Sequence, residues 1–496
     1  MEKSDKISKK NWAIIWIAGL AGQLCWNIEN QWFNTFVYAK IAPDPSIITW
    51  MVAVSAIVTT LSTFISGTGS DRLGKRKPFI VVGYILWGIS TITFGALEFI
   101  PNNNIVVLAS MVVIADSIMS FFGSLGNDAG FNPWTTDISN ENNRGGLGAV
   151  IAVQPVLATI VGSVIGGLII NALGYFPFFI IMGVFVMLVG VFCAFTLKDS
   201  PTLKPSVHPK GYFHQFAQAF NFKLLWKNKM LLLVLLIFAV FFISFNVYFP
   251  HLMNYFIYTR GYDEGLAGII LGIGLIIAIP FTIIAGKFIN KKQYVPVVGV
   301  ALIGNIVGLF IMVLSHFVGP NDFVNKFVIV LGVIFVGGGY MVIYQALMMW
   351  CKNLYPEEQR GQLEGVRLFF YVCVPMVFGP AIANPVIKNL GKPITLLYDG
   401  VEVPGYTPSK ELFYVAIAVA VLTFIPLVFA HLQEKKERVA LESNAGAISQ
   451  DEAIKEDLSV EENLDLASQE EVTVEENINV SSQEEVIVEV QKEEKE

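Results

Sequence analysis

Three carboxyl groups interrupt otherwise apolar runs of this chain: Glu29 within 12–38, Asp116 at the centre of 105–127, and Asp128 just beyond it. An ionised side chain at the middle of a bilayer costs about 2.5–3.5 kcal/mol on insertion scales. An acid there is therefore protonated for most of the time or faces water. Burial disfavours the charged form, and a group that alternates between dry and wet settings loads and releases a proton. Asp116 shares a helical face with Ser120, Gly123 and Asn127, at spacings of 4, 3 and 4. We read it as the first candidate for proton coupling, with Glu29 and Asp128 as the other two. Asn27, Asn30 and Asn246 are expected nearby for substrate hydroxyls. The structural alternative is a protonated Asp116 hydrogen-bonding a neighbouring helix.

A second polar set lies in the first run. At about 100° per residue, Gln23, Asn27, Asn30, Asn34 and Tyr38 fall on one helical face. Amides facing lipid are costly, so this stripe faces protein or water. Trp26 stands at its border, where an indole can stack on a sugar ring, whereas Glu29 points away from it. Asn246, Tyr340, Tyr344 and Gln345 supply further donors and acceptors suited to hydroxyls. Interhelical hydrogen bonding without a ligand is the alternative for the stripe. His251 reads as a structural hydrogen bonder, and Gly337-Gly338-Gly339 as close helix packing.

The elements that must hold these residues are set by composition. Of 496 residues, 54% are hydrophobic and 15% charged, against about 25% charged in a soluble domain, and the mean hydropathy is +0.59. Twelve apolar stretches are long enough to cross a bilayer: 12–38, 47–69, 78–99, 105–127, 147–170, 175–197, 230–256, 264–285, 295–318, 323–350, 363–389 and 411–431. They lack the alternation of barrel strands, so they are read as helices. Lys3, Lys6, Lys9 and Lys10 precede the first, which is too long for a signal peptide and ends in no cleavage site. With the N-terminus inside, the inner segments carry 24 basic residues and the outer ones six: Lys40, Arg260, Lys326, Lys388, Lys392 and Lys410. That bias predicts a multi-pass protein of the cell membrane with both termini cytoplasmic.

The chain reads as two halves and a tail. A shift of 216 residues places Trp134 on Trp350, Glu141 on Glu357, Arg144 on Arg360, Gly83 on Gly299 and Asn30 on Asn246. Duplicated helical halves are a common plan of secondary transporters. The expected units are a six-helix bundle over 1–197, a linker over 198–229 with a stretch Tyr212–Trp226 suited to the membrane surface, a second bundle over 230–431, and a tail over 432–496. The tail holds 20 acidic and 6 basic residues, and the other 431 residues hold 20 and 27, so the net charge of −7 belongs to the tail. Its 14-residue repeat, Val460–Thr473 followed by a copy from Val474, has no aromatic residue. It is too charged to fold alone and leaves room for a cytoplasmic partner. The four cysteines suggest neither disulfides nor a zinc site. No cofactor, metal or nucleic acid is called for, and no catalytic motif appears, so an enzyme is not expected.

Between the second and third spans stands Gly67-Thr-Gly-Ser-Asp71-Arg72-Leu-Gly74-Lys75-Arg76. This resembles the loop signature of the major facilitator superfamily, and the resemblance implies two pseudo-symmetric six-helix bundles that rock about a central site. Its glycines permit a tight turn. Its aspartate can accept hydrogen bonds from a neighbouring helix end, a latch for one conformation. The loop from Asp137 to Arg144-Gly145, with Pro356-Glu-Glu-Gln-Arg360-Gly361 after the tenth span, is similar to the glycoside-pentoside-hexuronide:cation symporters and the related sucrose-proton symporters. That branch implies a central sugar site lined by helices 1, 4, 7 and 10, and intramembrane acids for the coupling cation. The second span lacks the acidic pair of sodium-coupled melibiose permeases, and the basic residue that sucrose symporters place before the loop aspartate is absent. The first departure points to H+ in place of Na+, and the second points away from sucrose itself. The resulting expectation is a sugar or glycoside symporter, with efflux of an amphipathic compound or a non-transporting sensor as alternatives.

Overall fold

The computed structural model describes residues 6–101, 104–140, 143–201, 203–205, 211, 228–319, 323–355, 360–398 and 400–439. The expected surface helix at 212–226 and the acidic repeats lie outside the described residues. The chain divides into a unit spanning residues 1–430 and a second one from 431, described as far as 439, where Gln433 donates to Glu437 one helical turn on.

The first unit is built from helices that satisfy their own backbone, as hydrocarbon requires. In chain order these are α1 (9–41), α2 (Pro45–Leu73), α3 (Lys77–Phe99), α4 (Ile105–Asp137), α5 (Arg144–Leu173) and α6 (Tyr175–Thr196), then α7 (Lys229–Thr259), α8 (Glu264–Asn290), α9 (Tyr294–Ser315), α10 (Phe323–Leu354), α11 (360–390) and α12 (Glu411–Leu422). Among the described residues, eleven helices are long and apolar enough to span a membrane. The twelfth is α1, whose row of amides lowers its hydropathy. Short polar side chains start several of them: Asp44, Asn104, Asn228 and Asp263 each accept a backbone N–H of the first turn, a cap of about 1 kcal/mol. Large apolar side chains such as Phe195, Val300 and Phe323 point outward, as they do where the solvent is lipid.

Helix pairing repeats across the sequence midpoint. The pairs α1/α5, α2/α4 and α3/α6 recur as α7/α11, α8/α10 and α9/α12. The first six helices meet the last six where α5 packs on α8, α2 on α11 and α1 on α7.

Three features depart from a plain set of spans. First, α1, α4, α7 and α11 contain π-helical segments, at Glu29–Phe33, Val37–Ile41, Ser124–Phe131, Tyr255–Thr259 and Phe369–Cys373. Second, α4 runs on to Asp137, so Asp128 lies inside a helix and not at its end; the run Asn127 to Pro133 looks like a terminus, but Pro133 fits the first turn of a renewed α-helical stretch. Third, a two-stranded antiparallel hairpin follows α11: β1 (Pro393–Tyr398) pairs with β2 (Val401–Tyr406), turning through Gly400 at φ 82°.

Candidate functional site

The signature loop folds around one arginine. Helix α2 ends at Gly74, whose φ of 60° suits a residue without a side chain. Past that turn the buried Arg76 bridges two acids, at 2.6 Å from Asp71 and 3.0 Å from Asp137, and also donates to Ser70. Burial opposes the arginine's charge, and the two carboxylates outweigh it, so its pKa is raised. Asp71 thus faces Arg76 of its own loop and not a neighbouring helix end. The acid that does meet a helix end is Asp199, which accepts the N–H groups of Arg76 and Lys77 at 2.8 and 2.9 Å, where α3 begins. Trp134 fastens α4 to the same corner by donating to the carbonyl of Lys198. Gly67 is half-buried and Lys75 exposed; Arg72 is half-buried and has further interactions. Arg144 and Arg360 open α5 and α11, and their side chains lie outside the described residues.

Inside the first six helices, Glu29 and Asp116 are brought together. Both are buried, with 6% and 1% of their surface exposed. The Ser120 hydroxyl, one turn beyond Asp116 on α4, donates to Glu29 Oε1 at 2.7 Å. Ser55 of α2, whose hydroxyl donates to Val52 O at 3.2 Å, stands beside Asp116, and the two carboxyls lie within electrostatic reach of each other. One oxygen of each, Glu29 Oε2 and Asp116 Oδ1, has no hydrogen-bond partner. Asp128 is held differently, accepting from Ser124, Asn127 and Asn132 at 3.2, 3.0 and 3.4 Å, with Arg367 of α11 in electrostatic reach.

The amide stripe divides among several neighbours, because each π-helical turn in α1 offsets the 100° periodicity. Asn27 abuts Gly162 of α5, Asn34 lies beside Asn254 of α7, whose amide donates to its carbonyl at 3.0 Å, and Gln23 is half-buried. Asn30 and its repeat counterpart Asn246 make the same bond: each donates to the carbonyl four residues back, of Trp26 at 2.7 Å and Phe242 at 2.9 Å. The Trp26 ring packs 5.0 Å from Trp87. Across the molecule, Phe242, Phe245, Tyr340, Tyr344 and Tyr371 form a wall of rings; Phe245 stacks on Tyr340 at 4.6 Å and Tyr344 lies parallel to Tyr340 at 6.3 Å. Gln345, next to Tyr344 in sequence, has its amide nitrogen beside Gly286 of α8 and its Oε1 buried and unpartnered. In repeat register, Glu29 falls on Phe245 and Asp128 on Tyr344, so the second half carries rings at the positions where the first half carries these carboxyls.

Among the described residues, the hydrogen bonds between the first and last six helices cluster at the hairpin end. Tyr38 donates to Tyr406 O at 3.1 Å, Tyr398 to Tyr38 O at 2.5 Å, and the Tyr406 N–H to Pro43 O at 2.9 Å. Lys388 pairs with Asp44 at 3.3 Å, Thr49 donates to Pro380 O at 3.2 Å, and Tyr175 reaches Glu264 at 3.4 Å. Sequence reasoning missed Asp199, Ser55 and the hairpin. Only the hairpin had a clear local signal, the Asp399-Gly400 pair between alternating strands.

A family model described as Major Facilitator Superfamily matches residues 12–380. A search of curated protein sequences finds no match. Among solved structures, a mutant of the nucleoside transporter NupG superposes with a TM-score of 0.63 at 12% identity, covering 84% of this chain and 99% of that one. A bacterial homologue of the iron transporter ferroportin, in an inward-facing state, gives 0.58 at 12% identity, covering 85% and 97%.

Proposed function

Because the chain belongs to the Major Facilitator Superfamily, we propose that it is a secondary transporter that moves a sugar or glycoside together with protons across the cell membrane. It works by alternating access, its six-helix halves rocking about a substrate site lined by α1, α7 and α10, with both termini cytoplasmic. The observation that carries proton coupling is the Glu29–Asp116 site: two buried acids, each with an unpartnered oxygen. Asp116 remains the first coupling residue of this reading, and Asp128 sits where an arginine of the other half can sense it. Asn30, Asn246, Tyr340, Tyr344 and Gln345 are the proposed hydroxyl contacts, with Gln23, Trp26, Asn27 and Asn34 behind them. The bonds at the hairpin end support an arrangement closed on that side. Efflux of an amphipathic compound is the second reading, favoured by the aromatic wall of α7, α10 and α11. The test is uptake by proteoliposomes of labelled mono- and disaccharides, with a nucleoside included, under a pH gradient with and without sodium. Sugar accumulation driven by pH, lost in Asp116→Asn while downhill exchange persists, supports the reading. Sodium-driven accumulation, or transport of none of the sugars, overturns it.

A further inference from the structure

We propose that Glu29 and Asp116 act as one proton-binding unit, a dyad that holds a single proton between its two carboxyls and takes up one more when it loads. This deepens the transport reading above and rests on it for its role in the cycle. The geometry comes from three helices. Ser120 donates to Glu29 and stands one turn from Asp116 on α4, which sets neighbouring side chains on one helix face about 5–6 Å apart at Cβ. Ser55 reaches Asp116 from α2. Ser120 thus occupies Glu29 Oε1, and Ser55 stands beside Asp116. That leaves Glu29 Oε2 and Asp116 Oδ1 unpartnered in a place closed to solvent, and a buried acceptor without a donor is costly. A proton added to one carboxyl turns it into a donor and leaves the neighbouring one as an acceptor.

The surroundings supply no countercharge. The other titratable groups facing the pair are Cys25, one turn away on α1, Asp128 on α4 and, beyond them, Tyr84 on α3. Helix α5 meets α1 through Gln154, Gly162 and Ser163. Two like charges this close in a dry site do not ionise together. At most one of the two carboxyls ionises, so the unloaded form is the monoanion. Loading adds one proton from the open side to give two neutral carboxyls, and release on the other side restores the monoanion.

Interacting acids titrate in two macroscopic steps that belong to the pair, and this separates a dyad from two independent acids. The experiment is an infrared titration of protonated-carboxyl C=O bands, using the full chain in nanodiscs, in choline or sodium chloride. The parent should show two steps, and Glu29→Gln and Asp116→Asn should each show one step lying between them. Ser120→Ala, which removes a donor to the ionised form, should raise the upper step and keeps the test open if a carboxyl variant fails to fold. A single-variant step that coincides with one of the parent's steps means independent acids and overturns the dyad. A step lowered by sodium overturns the proton assignment. The readout needs no substrate. Failed sugar uptake with an intact two-step titration would therefore sink the substrate reading alone, and pH-driven uptake without the two steps would sink the dyad alone.

Discussion

At the residue scale, the signature loop shows how far spacing goes and where it stops. The pattern from Gly67 to Arg76 is legible because every member is local, including the left-handed turn at Gly74. The partners are not, since Asp137 and Asp199 reach Arg76 and its backbone from 61 and 123 residues away. The bonding gives an order for substitutions. Asp71 is 45% exposed, so its pair with Arg76 is screened, and Asp71→Asn should cost at most about 1 kcal/mol. Arg76→Gln removes the charge that both acids share and should cost more, about 3 kcal/mol, the low end for breaking a buried pair. Thermal unfolding in detergent should rank the losses Arg76→Gln, then Asp137→Asn, then Asp71→Asn. Transport by Asp71→Asn should fall while expression holds. Unchanged transport, or a change in substrate affinity alone, would remove Asp71 from the latch.

At the scale of elements, hydropathy located every long helix but misjudged their insides. A period of 3.6 assumes uninterrupted α-helix, and the π-helical turns in α1 redirect side chains. That is why Asn27 and Asn34 contact different helices, whereas Glu29, at the start of the first π-helical turn, points away from the stripe and meets Ser120. Polar residues also shortened α4 on paper, although inside a bundle they find partners. The contacts between the first and last six helices give a prediction here. A Cβ on Gly268 of α8 would sit 2.1 Å from the Ser163 carbonyl of α5, so Gly268→Ala should pry these helices apart at a cost of about 1–3 kcal/mol. Tyr398→Phe removes the hydroxyl that holds the hairpin to α1, about 0.5–1.5 kcal/mol. Both should widen the distance between spin labels at Lys40 and Leu397, read by double electron–electron resonance, and raise the population open at the hairpin end by up to about tenfold. An unchanged distance distribution in both variants would mean that these contacts do not gate that end.

For the whole molecule, duplication was the most legible property, because one offset of 216 residues aligned three separate regions and helix pairing repeats across the same midpoint. Its sidedness is a separate question, decided by where lysine and arginine fall. The signature loop falls among the segments that together carry 24 basic residues, and the hairpin among the segments with six. Cytoplasmic loops retain basic residues during insertion, so Thr395, exposed on β1, should face the outside and the acidic repeats the inside. Cys25, Cys193 and Cys351 are buried, so replacing the half-buried Cys373 with serine leaves a quiet background for labelling. A single cysteine at Thr395 should then react with an impermeant maleimide in intact cells, and one at Ser482 only after the membrane is opened. Reaction at Ser482 in intact cells would invert the topology. It would also put the Arg76 network on the outer face, and with it would fall the assignment of the hairpin contacts to an outer gate.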